Sequence, residues 1–207
     1  MSIGEWVGRG LCSFTRFVTG LRPIWQAPLE QRQRIFIANH RSHGDFLTIW
    51  AALPIVMRRR TRPVAGADYW ETSKVRRYLS YQVFNSVLIP RKPSRTDPNP
   101  IDLMGAALEK GDSLILFPEG TRNLGDELLP FKSGLYHIAK AFPQVEIIPV
   151  WIENLGRVMP KGVFIPVPLL CSVTFGEALH LLDGEDRQEF LDRCRQKLID
   201  LAPSTQS

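Results

Sequence analysis

The stretch Ile35-Phe36-Ile37-Ala38-Asn39-His40-Arg41-Ser42-His43-Gly44-Asp45 indicates the fold class of this chain. Its apolar, β-branched start predicts a buried strand over residues 34–38, and the apolar run after the turn predicts a helix over 45–53. A strand that passes through a polar turn into a helix is typical of α/β proteins. Because α/β proteins collect their sites at the carboxyl ends of strands, the polar turn is a candidate site.

The same stretch contains a candidate catalytic pair. On a continuous helix His40 and Asp45 would point about 140° apart, so they meet only if the turn between them folds back. Ser42 and Gly44 allow such a turn, and Asp45 would then fix the tautomer of His40 and leave its other nitrogen free as a base. A helix-capping aspartate is the simpler alternative, and His43 is a competing base without an equally placed acidic partner.

A second stretch, Leu114-Ile115-Leu116-Phe117-Pro118-Glu119-Gly120-Thr121-Arg122, is an apolar strand that ends in a charged turn. Gly120 lets the backbone approach a ligand closely. Arg122 offers a fork of donors that suits phosphate, although a surface ion pair with Glu119 is the simpler interpretation. Further on, Lys132 precedes the start of a predicted helix, which is a favourable place for an anion.

Short β-rich runs alternate with helical runs after residue 28. This alternation predicts one α/β domain over 28–207, with a mixed sheet flanked by helices. The predicted strands are 34–38, 64–66, 87–89, 114–117, 146–152 and 171–175. The predicted helices are 45–53, 73–84, 101–110, 133–141 and 186–201.

Residues 1–27 predict an amphipathic helix. Its apolar residues share one face at helical spacing: Ile3, Trp6, Val7, Leu11, Phe14, Phe17, Val18, Leu21 and Trp25. Several glycines interrupt it and each weakens a helix by about 1 kcal/mol relative to Ala, so something must dock on this segment. Two partners stay open, namely the core of the protein itself and a membrane interface entered by the Trp and Phe side chains.

The charge is distributed unevenly along the 207 residues. The first 100 residues hold 16 basic and 6 acidic side chains, whereas the remainder hold 10 and 15. A basic half indicates an anionic partner, which would be nucleic acid, a phosphorylated substrate or acidic lipid. Because no RNA-binding motif, zinc finger or zipper accompanies the charge, we expect no nucleic acid.

The cysteine spacing and the lengths of the apolar runs bear on the compartment and on membrane spanning. Three cysteines without CxxC spacing argue against a disulfide framework and a zinc site, and favour a reducing compartment. The longest nearly unbroken apolar run, 46–57, is shorter than the roughly 20 residues of a spanning helix. Since charged residues interrupt the N-terminal apolar segment, we expect no cleaved signal peptide. We expect peripheral attachment to the cytoplasmic face of a membrane. We expect no metal and no cofactor.

Four motifs carry a family resemblance: Asn39-His40-x4-Asp45, Phe117-Pro118-Glu119-Gly120-Thr121-Arg122, Phe131-Lys132-Ser133-Gly134 and Ile148-Pro149-Val150. In order and spacing, over residues 30–155, they resemble the glycerolipid acyltransferase family. The resemblance implies an α/β enzyme that transfers a fatty acyl group from an acyl thioester, either acyl-coenzyme A or acyl-carrier protein, to a lysophospholipid hydroxyl. The expected acceptor is 1-acyl-glycerol-3-phosphate, and another lysolipid such as lyso-ornithine lipid is the alternative.

The resemblance also implies roles for individual residues. The catalytic pair would be His40 and Asp45, and Pro149 would line the acyl side. The implied acceptor-binding residues are Arg91, Glu119, Gly120, Thr121, Arg122 and Lys132. Arg91 belongs to a motif that departs from the family pattern, since it lacks the usual first glycine and places Pro90 before the arginine.

Two alternatives from other classes accompany this prediction. The first is a non-catalytic lipid-binding protein of the same fold, which the intact His40 and Asp45 disfavour. The second is a hydrolase in which Ser113 of the Gly-Asp-Ser-Leu run is the nucleophile. The strand begins after Ser113 and no Asp-x-x-His follows it, so a simple turn into the strand is the preferred interpretation.

Overall fold

The computed structural model describes residues 2–28, 30–42, 44–90, 97–123, 125, 127–154 and 171–203. These residues form a seven-stranded sheet in the order β1-β7-β6-β2-β5-β3-β4. The strands are β1 (Arg22–Trp25), β2 (Arg34–Ala38), β3 (Thr61–Gly66), β4 (Val87–Ile89), β5 (Ser113–Leu116), β6 (Glu146–Asn154) and β7 (Cys171–Phe175). All neighbouring strands are parallel except β6 and β7, so the predicted mixed sheet is confirmed.

The helices bracket these strands along the chain. They are α1 (Ile3–Thr19), α2 (Asp45–Ala52), α3 (Ile55–Arg58), α4 (Ala67–Trp70), α5 (Lys74–Tyr78), α6 (Pro100–Glu109), α7 (Gly134–Ala141) and α8 (Arg187–Ile199). A π-helical segment, Leu79–Val83, continues α5. The helix predicted over 73–84 is therefore composite, and the strand predicted over 64–66 begins earlier, at Thr61.

The sheet separates two hydrophobic cores. Ile35 and Ile37 face the core that contains residues of α6, α7 and α8, whereas Phe36 and Ala38 face the core that contains residues of α1 and α2. Successive side chains of a strand point to opposite faces, and here both faces are covered. This double burial explains why β2 has a continuous apolar sequence after Arg34 instead of an alternating one.

The N-terminal segment departs from the helix predicted over 1–27. Helix α1 ends at Thr19 because Gly20 follows in the left-handed conformation at φ 53°, which stops a helix without the steric cost that a side chain would add. The next residues form β1, which pairs in parallel with β7, and Trp25 stacks on Phe175 with ring centroids 3.8 Å apart. The predicted helix is therefore wrong over residues 22–25.

The glycines of α1 explain how this helix docks. A Cβ atom on Gly4 would lie 2.1 Å from the carbonyl oxygen of Gln82, and one on Gly8 would lie 3.1 Å from the Trp50 ring. Cys12 and Thr15 are buried on the same side. The helix therefore contacts the domain through its smallest side chains, since only these allow such a close approach.

Most of the large apolar side chains of α1 face outward, although Leu11 is half-buried against the core. Trp6 is 63% exposed, Phe14 65% and Phe17 84%, and Ile3 and Val18 are exposed beside them. Of the two partners left open by the sequence, the core of the protein therefore receives the glycine face and not the aromatic face. None of the helices in the described ranges has both the length and the apolar character needed to cross a bilayer.

Candidate active site

A cleft opens at the carboxyl ends of the parallel strands. Strands β3, β4 and β5 contribute the walls through Val64, Gly66, Ile89 and Leu116, and it encloses about 130 Å³. The other walls are aromatic or belong to the turns after β2 and β5: His40, Phe46, Tyr69, Trp70, Phe117 and Gly120. A mostly apolar cleft with one ionisable ring suits a ligand that has both an apolar and a reactive part.

His40, which lines this cleft, meets Asp45 behind it. The turn between them folds back, and the Nδ1 atom of His40 lies 3.0 Å from Oδ2 of Asp45. The same oxygen accepts from the backbone N–H groups of Arg41 and Ser42, at 2.6 and 2.7 Å. Because a carboxylate oxygen only accepts hydrogen bonds, this contact places the proton of a neutral imidazole on Nδ1 and leaves Nε2 unprotonated.

The carboxylate of Asp45 is held from several directions. Its other oxygen accepts from the Ser42 hydroxyl at 2.8 Å, and only 2% of the residue is exposed. Asp45 also begins helix α2, where the helix dipole favours a negative charge. The side chain of His40 is 18% exposed, so the ring reaches the cleft while its acidic partner does not.

The turn after β5 fixes the position of His40. The backbone N–H of His40 donates to Oε1 of Glu119 at 2.9 Å, and its carbonyl oxygen accepts from the Asn123 backbone N–H at 2.7 Å. The ring stacks on Phe117 with centroids 4.2 Å apart. One turn thus determines both the backbone and the ring plane of the candidate base.

Glu119 contacts backbone groups of the site. It is 1% exposed, and its second carboxylate oxygen accepts from the Leu129 backbone N–H at 3.0 Å. Both oxygens are therefore engaged by backbone donors. The geometry gives Glu119 a supporting contact with the backbone of His40. The acceptor contact that the family resemblance implies stays a prediction.

Asn39 supports the same turn from the opposite side. Its amide donates to the Ile152 carbonyl oxygen at 3.0 Å and accepts from the Ile152 backbone N–H at 2.8 Å, so it ties the end of β2 to β6. The sequence assigns no role to Asn39 or Asn123. An asparagine directly after an apolar strand is the available signal, because its amide can replace a pair of backbone hydrogen bonds.

The expected anion-binding residues lie on two chain segments around Gly120, which lines the cleft, and these segments are called its rim. Gly120 adopts φ 71°, and the aliphatic stem of Lys132 crosses it closely enough that a Cβ atom would lie 3.2 Å from Lys132 Cγ. Thr121 and Arg122 are exposed, and Arg122 directly precedes the amide that bonds to His40. The rim therefore places two positive side chains on the turns that surround the candidate base.

Other predicted residues lie elsewhere. Arg91 and His43 fall outside the described residues. Pro149 lies within β6, paired with Ile37, and is not among the residues that line the cleft. Ser113 begins β5, at the opposite end of the strand from the site, and its hydroxyl accepts from the Arg34 backbone N–H at 3.0 Å. The strand therefore begins one residue earlier than predicted, and Ser113 belongs to the strand rather than to the turn before it.

Cys171 is the thiol whose pKa responds to the charge of Asp45. Burial, with smaller contributions from Asp45 and Glu153, raises the pKa of this thiol to about 11. A thiol with so high a pKa stays protonated at neutral pH and is a poor nucleophile. Among the described residues near the pair, His40 is thus the group equipped for proton transfer.

An aspartate-oriented histidine at the carboxyl edge of a mixed α/β sheet defines a site for general-base chemistry. The family model described as Acyltransferase matches residues 18–153, so the chain belongs to this family. The match includes both turns of the site.

Several relatives have similar sequences. The chain is 29% identical over 158 residues to 1-acyl-sn-glycerol-3-phosphate acyltransferase of Haemophilus influenzae, covering 72% of this chain and 58% of the relative. It is 29% identical over 168 residues to lyso-ornithine lipid O-acyltransferase of Rhizobium meliloti, covering 76% and 54%. The chain thus spans about half the length of these relatives.

A solved structure has the same fold. The crystal structure of the 1-acyl-sn-glycerophosphate acyltransferase PlsC from Thermotoga maritima matches with a TM-score of 0.65 and 19% sequence identity. The match covers 95% of this chain and 80% of that one. The likeness therefore extends over nearly the whole chain.

Proposed function

We propose that this protein is an O-acyltransferase that moves a fatty acyl group from an acyl thioester to the hydroxyl of a lysophospholipid. The observation that carries the proposal is the hydrogen bond from His40 to the buried Asp45, in a cleft at the strand ends of an Acyltransferase-family chain. The acyl donor is acyl-coenzyme A or acyl-carrier protein.

The chemistry follows from the tautomer of His40. Nε2 takes the proton of the acceptor hydroxyl while that oxygen forms a bond to the thioester carbonyl carbon. Asp45 stabilises the imidazolium that results. When the tetrahedral intermediate collapses, the carbon–sulfur bond breaks, and the departing thiolate receives the proton from His40. An acyl-enzyme is unnecessary because the thioester is already activated.

The preferred acceptor is 1-acyl-glycerol-3-phosphate, which would give phosphatidic acid. Arg122 and Lys132 supply positive charge at the rim, and a phosphate held there would fix the position of the acceptor hydroxyl. Lyso-ornithine lipid is the second candidate. It is supported by the R. meliloti relative, which covers more of this chain than the H. influenzae relative does.

Attachment to a membrane surface belongs to the same proposal. The outward aromatic side chains of α1 are the kind that enter a lipid interface, where the apolar ring is buried and the edge remains wet. A lysolipid acceptor resides in that interface. The helix would therefore hold the cleft close to its substrate, on the cytoplasmic face.

The decisive experiment is incubation of the purified protein with an acyl thioester and a panel of lysolipids, followed by mass spectrometry of the products. We expect an acylated lysolipid, formed most rapidly from 1-acyl-glycerol-3-phosphate. The panel contains acyl-coenzyme A and acyl-carrier protein donors in parallel, so the same products identify the donor.

The alternatives give different products. A hydrolase releases free fatty acid from the donor whether or not a lysolipid is present. A non-catalytic lipid-binding protein yields no product while it still retains lysolipid in an equilibrium binding assay. Either outcome would contradict the proposed transfer.

A further inference from the structure

A second cavity lies beneath α1, away from the cleft that contains His40. It encloses about 310 Å³, and its walls come from α1, from Trp50 and Phe84, and from the π-helical segment Leu79–Val83. Three arginines line it, Arg9, Arg58 and Arg59, together with the single carboxylate of Glu5. The lining thus combines an aromatic wall with an excess of positive charge.

Arg58 is the residue of greatest interest in this cavity. Its guanidinium lies over the Trp50 ring, 5.4 Å from the ring centroid, and its Nε atom is buried without a hydrogen-bond partner in the described part of the chain. Burial raises the pKa of the neighbouring Cys12 thiol, and the positive charge of Arg58 and a side-chain hydrogen bond between the two residues oppose that rise. The atom without a partner is therefore Nε, not the whole guanidinium. A buried guanidinium donor without an acceptor is costly, because nothing replaces the water it has lost.

The carboxylate of Glu5 does not balance these charges. It contacts the Arg59 guanidinium at 3.4 Å and also accepts from the Ser2 backbone N–H in the N-terminal capping box of α1. Within the described ranges, no carboxylate lies at ion-pair distance from Arg9 or Arg58. Two positive charges therefore remain for an anion that the chain does not itself supply.

The mouth of the cavity borders the outward apolar face of α1. At 3.6 residues per turn, Glu5 and Arg9 lie on the flank between the docked glycine face and the face that carries Trp6. Tyr81, another wall residue, is itself exposed. An anion at this position would thus lie at the depth of lipid headgroups when the aromatic residues enter the interface.

We propose that this cavity binds the phosphate of an anionic membrane phospholipid, with Arg58 as the fork that holds it and Arg9 at the mouth. The inference rests on the proposed function in that it needs α1 at a membrane. A guanidinium matches phosphate with two parallel hydrogen bonds, which the ammonium of lysine does not reproduce. Charge alone should therefore not replace Arg58.

The test uses the full chain and two kinds of vesicle, phosphatidylcholine alone and phosphatidylcholine mixed with phosphatidylglycerol, which is anionic but offers no lysolipid hydroxyl. Co-sedimentation is measured for the wild type, for Arg58→Lys and for Arg22→Lys. Arg22 is exposed on β1, outside the cavity. Its substitution also replaces a guanidinium with an ammonium, so it is a matched control. Thermal unfolding of each variant verifies that it folds.

We expect Arg58→Lys to bind the mixed vesicles about tenfold more weakly, the size of one lost charge-assisted hydrogen bond, with unchanged binding to phosphatidylcholine alone. Arg22→Lys should match the wild type on both. If Arg58→Lys does not fold, Arg9→Lys takes its place and should show a smaller loss of the same sign. Equal affinity of the wild type and the variant for mixed vesicles would overturn the proposal.

Inorganic phosphate distinguishes the two sources of the anion. Should it raise the melting temperature of the wild type but not of Arg58→Lys, while vesicle binding is the same for both, the cavity binds a soluble anion and the lipid assignment is wrong. Failure of the wild type to bind any vesicle would instead contradict the membrane attachment in the proposed function.

Discussion

The turn around His40 and the helix α1 depart from the usual burial rule in opposite directions. In the turn, polar side chains are buried, and Asp45, Glu119 and Asn39 each have partners for their oxygens. On α1 the small side chains are buried, and the large apolar ones, such as Phe17, are exposed. The first arrangement positions one reactive ring, and the second leaves an apolar surface for an external partner.

The difference predicts that the proposed activity and the proposed membrane attachment depend on separate parts of this fold. Buried polar groups around a site lower stability unless each of them is hydrogen-bonded. When all of them are, they fix the geometry of the site. Exposed aromatic groups contribute little to folding, because they remain in contact with water. Substitutions in the two regions should therefore affect different measurements.

The largest effect is expected at His40. We expect His40→Ala to lower kcat by roughly 100- to 10,000-fold, the usual contribution of a general base, with vesicle binding and melting temperature unchanged. Ser113→Ala is the control: it should retain most of the activity and lose only about 1 kcal/mol of stability, from the hydrogen bond to Arg34. Steady-state kinetics with thermal unfolding measure both. Loss of turnover in Ser113→Ala alone would contradict the mechanism.

The next effect concerns α1. Burying an aromatic side chain in an apolar phase contributes about 1.5 to 3 kcal/mol, so Trp6→Glu combined with Phe14→Glu should weaken vesicle binding by at least 100-fold. The melting temperature should stay the same because both residues are already exposed. Leu182→Glu is the control, since Leu182 is also exposed but precedes α8, on the other side of the sheet. Unfolding of the double variant would mean that the aromatic face packs on protein.

A smaller effect distinguishes a residue that positions His40 from a residue that contacts the acceptor. Glu119→Gln replaces one acceptor with a donor that faces a backbone N–H, so we expect kcat to fall about tenfold with an unchanged KM for the acceptor. Arg122→Ala should instead raise the acceptor KM by roughly tenfold and leave the donor KM unchanged. Kinetics with each substrate varied in turn distinguish the two. A raised acceptor KM in Glu119→Gln would return that residue to the acceptor site.

The smallest effect concerns the docking of α1. Gly4→Ala should destabilise the docked helix by about 1 to 3 kcal/mol, because its Cβ atom collides with the Gln82 carbonyl oxygen. Gly10→Ala, which meets no atom within 4 Å, should stabilise the helix by up to about 1 kcal/mol. Amide hydrogen exchange of α1 should be faster in the first variant and slower in the second. Equal exchange in both would contradict the close packing of Gly4.

The sequence predicts those parts of the fold that depend on a local residue pattern. The apolar run of β2 predicts a buried strand, and the structure covers it on both faces. Ser42 and Gly44 allow a turn that brings His40 and Asp45 together, and the structure contains that turn. Strand β1 was missed because Trp25 continues the helical spacing of the apolar stripe and the other residues of β1 are exposed. Its formation depends on pairing with β7, which no local pattern contains.

Two features of the site depend on contacts that a sequence does not show. Glu119 follows β5 in a charged turn, and only the fold reveals that the backbone of His40 faces it. The glycines of α1 lower its intrinsic helicity. Only the structure shows that Gly4 allows the helix to pack closely against the Gln82 carbonyl oxygen. In both cases the role of the residue depends on a contact with a backbone group that is distant in the sequence.

The central claim is that the turn performs the chemistry while α1 brings the acceptor within reach. Turnover of a short-chain soluble lysolipid compared with turnover of the same headgroup in vesicles tests this most directly. The account predicts that Trp6→Glu with Phe14→Glu keeps wild-type turnover on the soluble acceptor and loses it on vesicles, whereas His40→Ala loses both. Equal losses on the two acceptors in the helix variant, or turnover that survives in His40→Ala, would contradict it.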